Sequence, residues 1–71
     1  MKTTEMIQKD VVDELAWDPK VDSSRIGVTV QEGIVTLAGY VPNFAEKLAA
    51  EQATKRILGV QAVVDELVVE L

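Results

Sequence analysis

Apolar residues along the chain follow two periods, and the switches between them mark the elements. Ile7, Val11 and Leu15 recur every four residues with Met6, Val12 and Ala16 beside them, which predicts an amphipathic helix over 4–16. Thr4 is placed to cap it. Trp17-Asp18-Pro19 ends it, because the residue before a proline is pushed out of the α region. The polar face carries Glu5, Lys9, Asp10, Asp13 and Glu14, with Glu5 and Lys9 in the favourable i,i+4 order. A loop through Asp22-Ser23-Ser24 follows.

The period then falls to two, predicting strands over 25–31 and 34–41 folded about Glu32-Gly33. A two-residue turn pairs Val30 with Val35, Val28 with Leu37 and Ile26 with Gly39, so the large apolar partners share one face and Thr29 meets Thr36 on the other. A three-residue loop would set Val30 against Ile34 and Val28 against Thr36, mixing the faces. The two-residue turn is therefore expected, with Gly33 supplying the left-handed backbone. Gly39 reads as a place where Ile26 or a helix comes close.

Asn43 followed by Glu46 forms a capping-box pattern that starts a second helix over 44–58. Its expected buried stripe is Ala45, Leu48, Ala49, Ala53 and Ile57, and Gly59 is placed to end it in the left-handed conformation. Over 62–71 the period returns to two, with Leu67, Val69 and Leu71 inward. The result is an α+β, αββαβ fold in a single domain, 1–71. Two helices pack on one face of a three-stranded mixed sheet, and the second strand, apolar on both faces, is central. The third strand lies parallel to it through a right-handed crossover.

Composition narrows the function. The chain has 71 residues, a formal net charge of −5, no cysteine and no histidine. A domain of this size buries only about 60% of its unfolded surface, so packed aliphatics or a partner must hold it. The acidic balance repels phosphate backbones and anionic headgroups, which argues against nucleic acid and against simple electrostatic adhesion to lipid. No apolar run approaches membrane-spanning length, and Met1 leads into Lys2-Thr3-Thr4-Glu5 without an apolar signal region. A cytoplasmic location is expected for the chain as it stands, and a periplasmic one if a leader precedes it.

Catalytic chemistry finds no foothold. Gly33 and Gly39 lie in a strand pattern without Gly-Lys-Ser/Thr or a helix start between them, so no phosphate loop is expected. Adjacent acids such as Asp13 with Glu14, or Asp65 with Glu66, point in different directions, and no nucleophile or cofactor motif accompanies them. A non-enzyme without a cofactor is the expectation. Acids do gather around the end of the first helix, where the helix dipole prefers cations. Asp13, Asp18 and Asp22 are the candidate cation ligands, against the plainer reading of a solvated acidic face, and their spacing lacks a calcium-loop pattern. Trp17 reads as a group closing the edge of the small core, with a membrane interface as the alternative. Gly33, Gly39, Gly59 and Trp17 are thus the structural positions. The uncovered sheet face should carry Ile34, Thr36, Ala38, Tyr40 and Val68. Of these, Ile34, Tyr40 and Val68 are the candidate partner-binding residues, with Tyr40 the anchor.

The helix-end Trp17-Asp18-Pro19, the strand motif Ile26-x-Val28-x-Val30, the run Gly33-x-Val35-x-Leu37-x-Gly39-x-Val41, the alanines of 49–53 and Gly59-Val60-x-x-Val63 leading to Leu67 and Val69 together resemble the BON domain. That module occurs in osmotically induced, envelope and secretion-associated proteins of bacteria. The resemblance spans nearly the whole chain, from Ile7 to Val69. It implies an αββαβ fold without enzyme activity, often in tandem copies, that associates with phospholipid, envelope or partner proteins. The expected function is a binding or scaffolding module, stress- or envelope-associated, that contacts a protein partner, an adjacent repeat or a second copy. A cation-responsive domain and a phospholipid-surface adaptor are the alternatives. A strand at the end of the chain leads to the expectation of a following repeat.

Overall fold

A computed structural model describes residues 3–70. The order is α1 (Thr4–Trp17), a 3₁₀ turn (Ser23–Arg25), β1 (Ile26–Gln31), β2 (Ile34–Val41), α2 (Phe44–Lys55) and β3 (Ala62–Val69). The strands lie in the order β1-β2-β3, with β1 antiparallel and β3 parallel to the central β2. This is the mixed αββαβ sheet that the pattern predicts.

The hairpin has the expected register: Val30 faces Val35, Thr29 faces Thr36, Val28 faces Leu37 and Ile26 faces Gly39. Glu32 and Gly33 both take positive φ, 52° and 80°, the backbone of a two-residue turn whose twist matches the strands. Gly33 is buried beside the Gln61 side chain, and its carbonyl accepts from the Gln61 amide at 2.8 Å, joining the turn to the start of β3. Gly39 has the tighter constraint. Its φ is 134°, and a Cβ there would stand 2.1 Å from the Arg25 carbonyl oxygen and 3.3 Å from Ile26 Cα. The neighbour that approaches is the chain entering β1.

Ile7, Val11 and Leu15 of α1 pack with Ala50 and Ala53 of α2 against Val35, Leu37, Val41 and Leu67. Both helices therefore cover one face, as expected. Several local expectations are corrected. Thr3, not Thr4, caps α1, its hydroxyl accepting from the Met6 amide, and the helix runs one residue past 16 to Trp17. A 3₁₀ turn occupies 23–25, so β1 begins at Ile26 rather than 25. α2 ends at Lys55 rather than 58, where the amides of Arg56 and Ile57 turn back to the carbonyls of Ala53 and Thr54. Gly59, at φ 101°, then serves the turn into β3 rather than the helix end. β3 closes at Val69, and the inward placement expected of Leu71 lies outside the described residues.

The buried face of α2 also differs. It is Glu46, Ala50, Ala53 and Thr54, with Ala49 and Ile57 partly packed, while Ala45 and Leu48 are exposed. At 100° per residue this turns the helix by roughly 90° from the expected stripe. Two polar contacts accompany the rotation: Glu46 Oε1 accepts from the Asp22 amide, and the Thr54 hydroxyl donates to the Ala50 carbonyl. The capping box is consequently half formed. Asn43 Oδ1 accepts from the Glu46 amide, but the Glu46 carboxylate anchors the loop before β1.

Gly39→Ala is expected to lower stability by roughly 2 kcal/mol or more, since it combines a positive φ with a backbone clash. At Gly27 a Cβ would meet only the Ala38 carbonyl oxygen, at 3.7 Å, and Gly27→Ala should stay within about 0.5 kcal/mol of the parent. Urea titrations of both variants check this; equal midpoints would reject the close approach at Gly39.

Candidate functional site

With both helices on one side, the other side of the sheet is open. Alternation places Ile34, Thr36, Ala38 and Tyr40 of β2 there, and the parallel register sets Ala62, Val64, Glu66 and Val68 of β3 beside them in that order. Gln31, Thr29 and Gly27 of β1 flank the other side. The candidates Ile34, Tyr40 and Val68 are thereby brought onto one surface, exposed by 43%, 50% and 54%. Val64 joins them, and the alternation in 62–69 was the signal that could have found it. A depression of ≈ 410 Å³ near the hairpin turn is lined by Thr29, Val30, Gln31, Glu32, Ile34 and Thr36.

Tyr40 has a neighbour of its own on this face. The Arg25 guanidinium stands 5.9 Å from its ring centroid and bonds Glu70 Oε1 at 3.0 Å, so the ring has a cation over it. The 3₁₀ turn immediately before β1 carries Arg25, whose partner Tyr40 lies next to Gly39, the residue opposite Ile26.

The sheet edges are partly closed by side chains. At the outer edge of β1, Gln8 Nε2 donates to the Val28 carbonyl at 3.2 Å. On β3, Lys47 Nζ donates to the Leu67 carbonyl at 2.9 Å, while Asp65 Oδ1 accepts from the Leu67 amide at 3.0 Å. Lys47 Nζ also stands 3.9 Å from Asp65 Oδ1. The Asp65 side chain is only 13% exposed, and its Oδ2 is buried without a hydrogen bond. The Lys47 charge offsets that burial. Both strands thus have one edge position already satisfied, which blunts them as templates for an added strand.

Trp17 corrects the expectation of a core-edge group, being 84% exposed. It follows Leu15 by two residues, about 200° around the helix, so a helix that buries Leu15 turns Trp17 outward. With Pro19, Ala49, Gln52 and Arg56 it borders a groove of ≈ 350 Å³ between the end of α1 and α2. Phe44 and Leu48 of α2 are exposed as well.

The candidate cation ligands do not converge. Asp13 bonds Lys9 at 2.8 Å, replacing the expected Glu5–Lys9 pair. Asp18 Oδ1 accepts from the Lys20 amide, and Asp22 Oδ1 from the amide and hydroxyl of Ser24. Among the described residues no three acidic side chains gather as a metal site would require. Asp13 serves an ion pair within α1, and Asp18 and Asp22 each serve a local turn.

The family model of the BON domain matches residues 3–70. No curated protein matches the chain.

Two carboxyl groups lie below their ordinary range. The Ser24 hydroxyl, followed by its amide, lowers Asp22, and the hydrogen bond from the Lys55 ammonium lowers Glu51. A depressed folded value means the stabilisation is complete above the unfolded pKa, about 4 for these groups, and is lost as pH falls through the folded value. Urea midpoints should therefore hold between about pH 7 and 5 with respect to these groups and decline below about pH 4.5. The double variant Asp22→Asn, Glu51→Gln should start lower and decline less; an unchanged acid slope would reject this origin.

Proposed function

Because the chain belongs to the BON-domain family, whose members are generally non-catalytic binding modules of bacterial envelope and osmotic-stress proteins, we propose that it docks a protein partner on the open face of its sheet. The observation that carries this reading is the row of exposed apolar side chains, Ile34, Val64, Tyr40 and Val68, on a sheet whose other face is fully used by the helices. Such a patch on a small domain is a customary place for protein contact. Tyr40 is its anchor, since its ring offers a large apolar area with a hydroxyl that stays able to hydrogen-bond. No catalytic step is assigned to any residue. A stress- or envelope-associated setting is the role we assign to it.

A photo-reactive side chain in place of Tyr40, in the bacterium of origin, should yield one discrete adduct that disappears when Val64→Asp is added. The same group in place of Gln52 should not yield it. An adduct of twice the chain's mass would make the occupant a second copy, and absence of any adduct dependent on Val64 would overturn the assignment.

A second reading, the phospholipid-surface adaptor, is favoured by the exposure of Trp17 and Phe44 on the helix layer. Indole groups are at home at headgroup depth. Trp17 is the only tryptophan, so its emission reports directly. Vesicles of phosphatidylglycerol and phosphatidylethanolamine should shift it to the blue and carry the chain upward on flotation, and Trp17→Ser should float less. Unshifted emission and no flotation would remove this reading.

A further inference from the structure

We propose that the open face is built for a cationic amphipathic helix, its apolar stripe seated along β2 and β3 and a lysine or arginine brought to Glu66. This rests on the open face being the docking surface and adds the chemistry of what docks there. The first argument is charge. The face's cation among the described residues is Arg25, and it is already bonded to Glu70 and stacked on Tyr40. Glu66, opposite Ala38 in the register and between Val64 and Val68 in its own row, has no ion pair among the described residues. Covering the apolar row would desolvate that carboxylate, which is unfavourable unless the partner supplies a positive group. A second copy brings no free cation on the same face among the described residues. A partner with a basic residue beside its apolar stripe does.

The second argument is shape. At about 3.3 Å per residue the eight-residue β2 and β3 run roughly 26 Å. The outer strands of a three-stranded sheet are about 10 Å apart. One helix of about 17 residues, near 10 Å in diameter, matches both dimensions. Packing a helix there completes a three-layer arrangement in which both faces of the sheet are covered. The hollow by Ile34 and Thr36, which Glu32 also lines, lies at one end of the row, and Tyr40 with Val68 bounds the other. An extended peptide is the poorer fit, because Gln8 and the Lys47–Asp65 pair already occupy edge positions.

The probe is a synthetic helix of about 18 residues with leucines at i, i+3, i+4 and i+7 and lysines flanking the stripe, compared with the same peptide carrying glutamine for lysine. It is titrated into the full chain at about 0.15 M salt by calorimetry, with amide resonances mapped by NMR. The expected result is that the lysine peptide shifts the amides of Thr36, Val64 and Tyr40 and binds more tightly than the glutamine peptide. Glu66→Gln should weaken it about fivefold or more, while Glu5→Gln, which removes the same charge from α1, should leave it nearly unchanged. If both peptides shift the face alike and Glu66→Gln has no effect, the docking surface stands and the cationic assignment falls. Equal losses from Glu5→Gln and Glu66→Gln would reduce the effect to the chain's overall acidity and also overturn it. Shifts confined to α1 and α2, or no binding at all, would overturn both the inference and the docking surface beneath it.

Discussion

A three-stranded sheet has two faces, and two short helices suffice for one. That constraint organises the molecule. Because β2 is apolar on both sides, with Val35, Leu37 and Val41 inward and Ile34 and Tyr40 outward, covering one side necessarily leaves apolar surface on the other. The helices are committed where the hairpin sorts its large side chains. The mixed pairing follows from connection length: β1 and β2 are joined by two residues and must be antiparallel, whereas β2 and β3 are joined through α2 and can run parallel.

Gly39 shows how closely the layers depend on one another. The approach of the Arg25 carbonyl to this glycine lets the chain enter β1 tight against β2. The same segment carries the guanidinium that covers Tyr40 and reaches Glu70. Glu46 ties the preceding loop to α2 from below, through the Asp22 amide. A backbone constraint inside the sheet and a buried carboxylate under it thus position one corner of the exposed face.

The hairpin was legible from sequence because only one register separates apolar from polar partners, and period-two alternation needs no knowledge of distant contacts. Helix facing was less legible for a physical reason. The inward side of α2 uses Glu46 and Thr54, whose polar atoms find bonds in the fold, while Leu48 lies outside. A hydrophobicity stripe cannot foresee a carboxylate buried by a backbone amide 24 positions away. Trp17 failed for a related reason: its size suggested a core role, but the angle from Leu15 decides its direction. Of the surface, Ile34, Tyr40 and Val68 followed from strand parity alone. Val64 follows from the same parity on β3, whereas the absence of an ion pair at Glu66 among the described residues required the positions of the cations.

The same register separates the roles of two neighbouring acids. Asp65 and Glu66 are adjacent, yet strand alternation sends them to opposite faces. Asp65 lies on the helix side, where Lys47 stands near it and both side chains satisfy the edge of β3 at Leu67. Its charge is spent within the fold. Glu66 lies on the open side, where Arg25 is engaged elsewhere and no other described cation reaches. A carboxylate in an apolar row is harmless while water covers it, and becomes selective once something else does. It then disfavours neutral or acidic partners and favours a basic one. Partner discrimination in a domain this small can therefore rest on which of two consecutive acids the pleat leaves uncompensated.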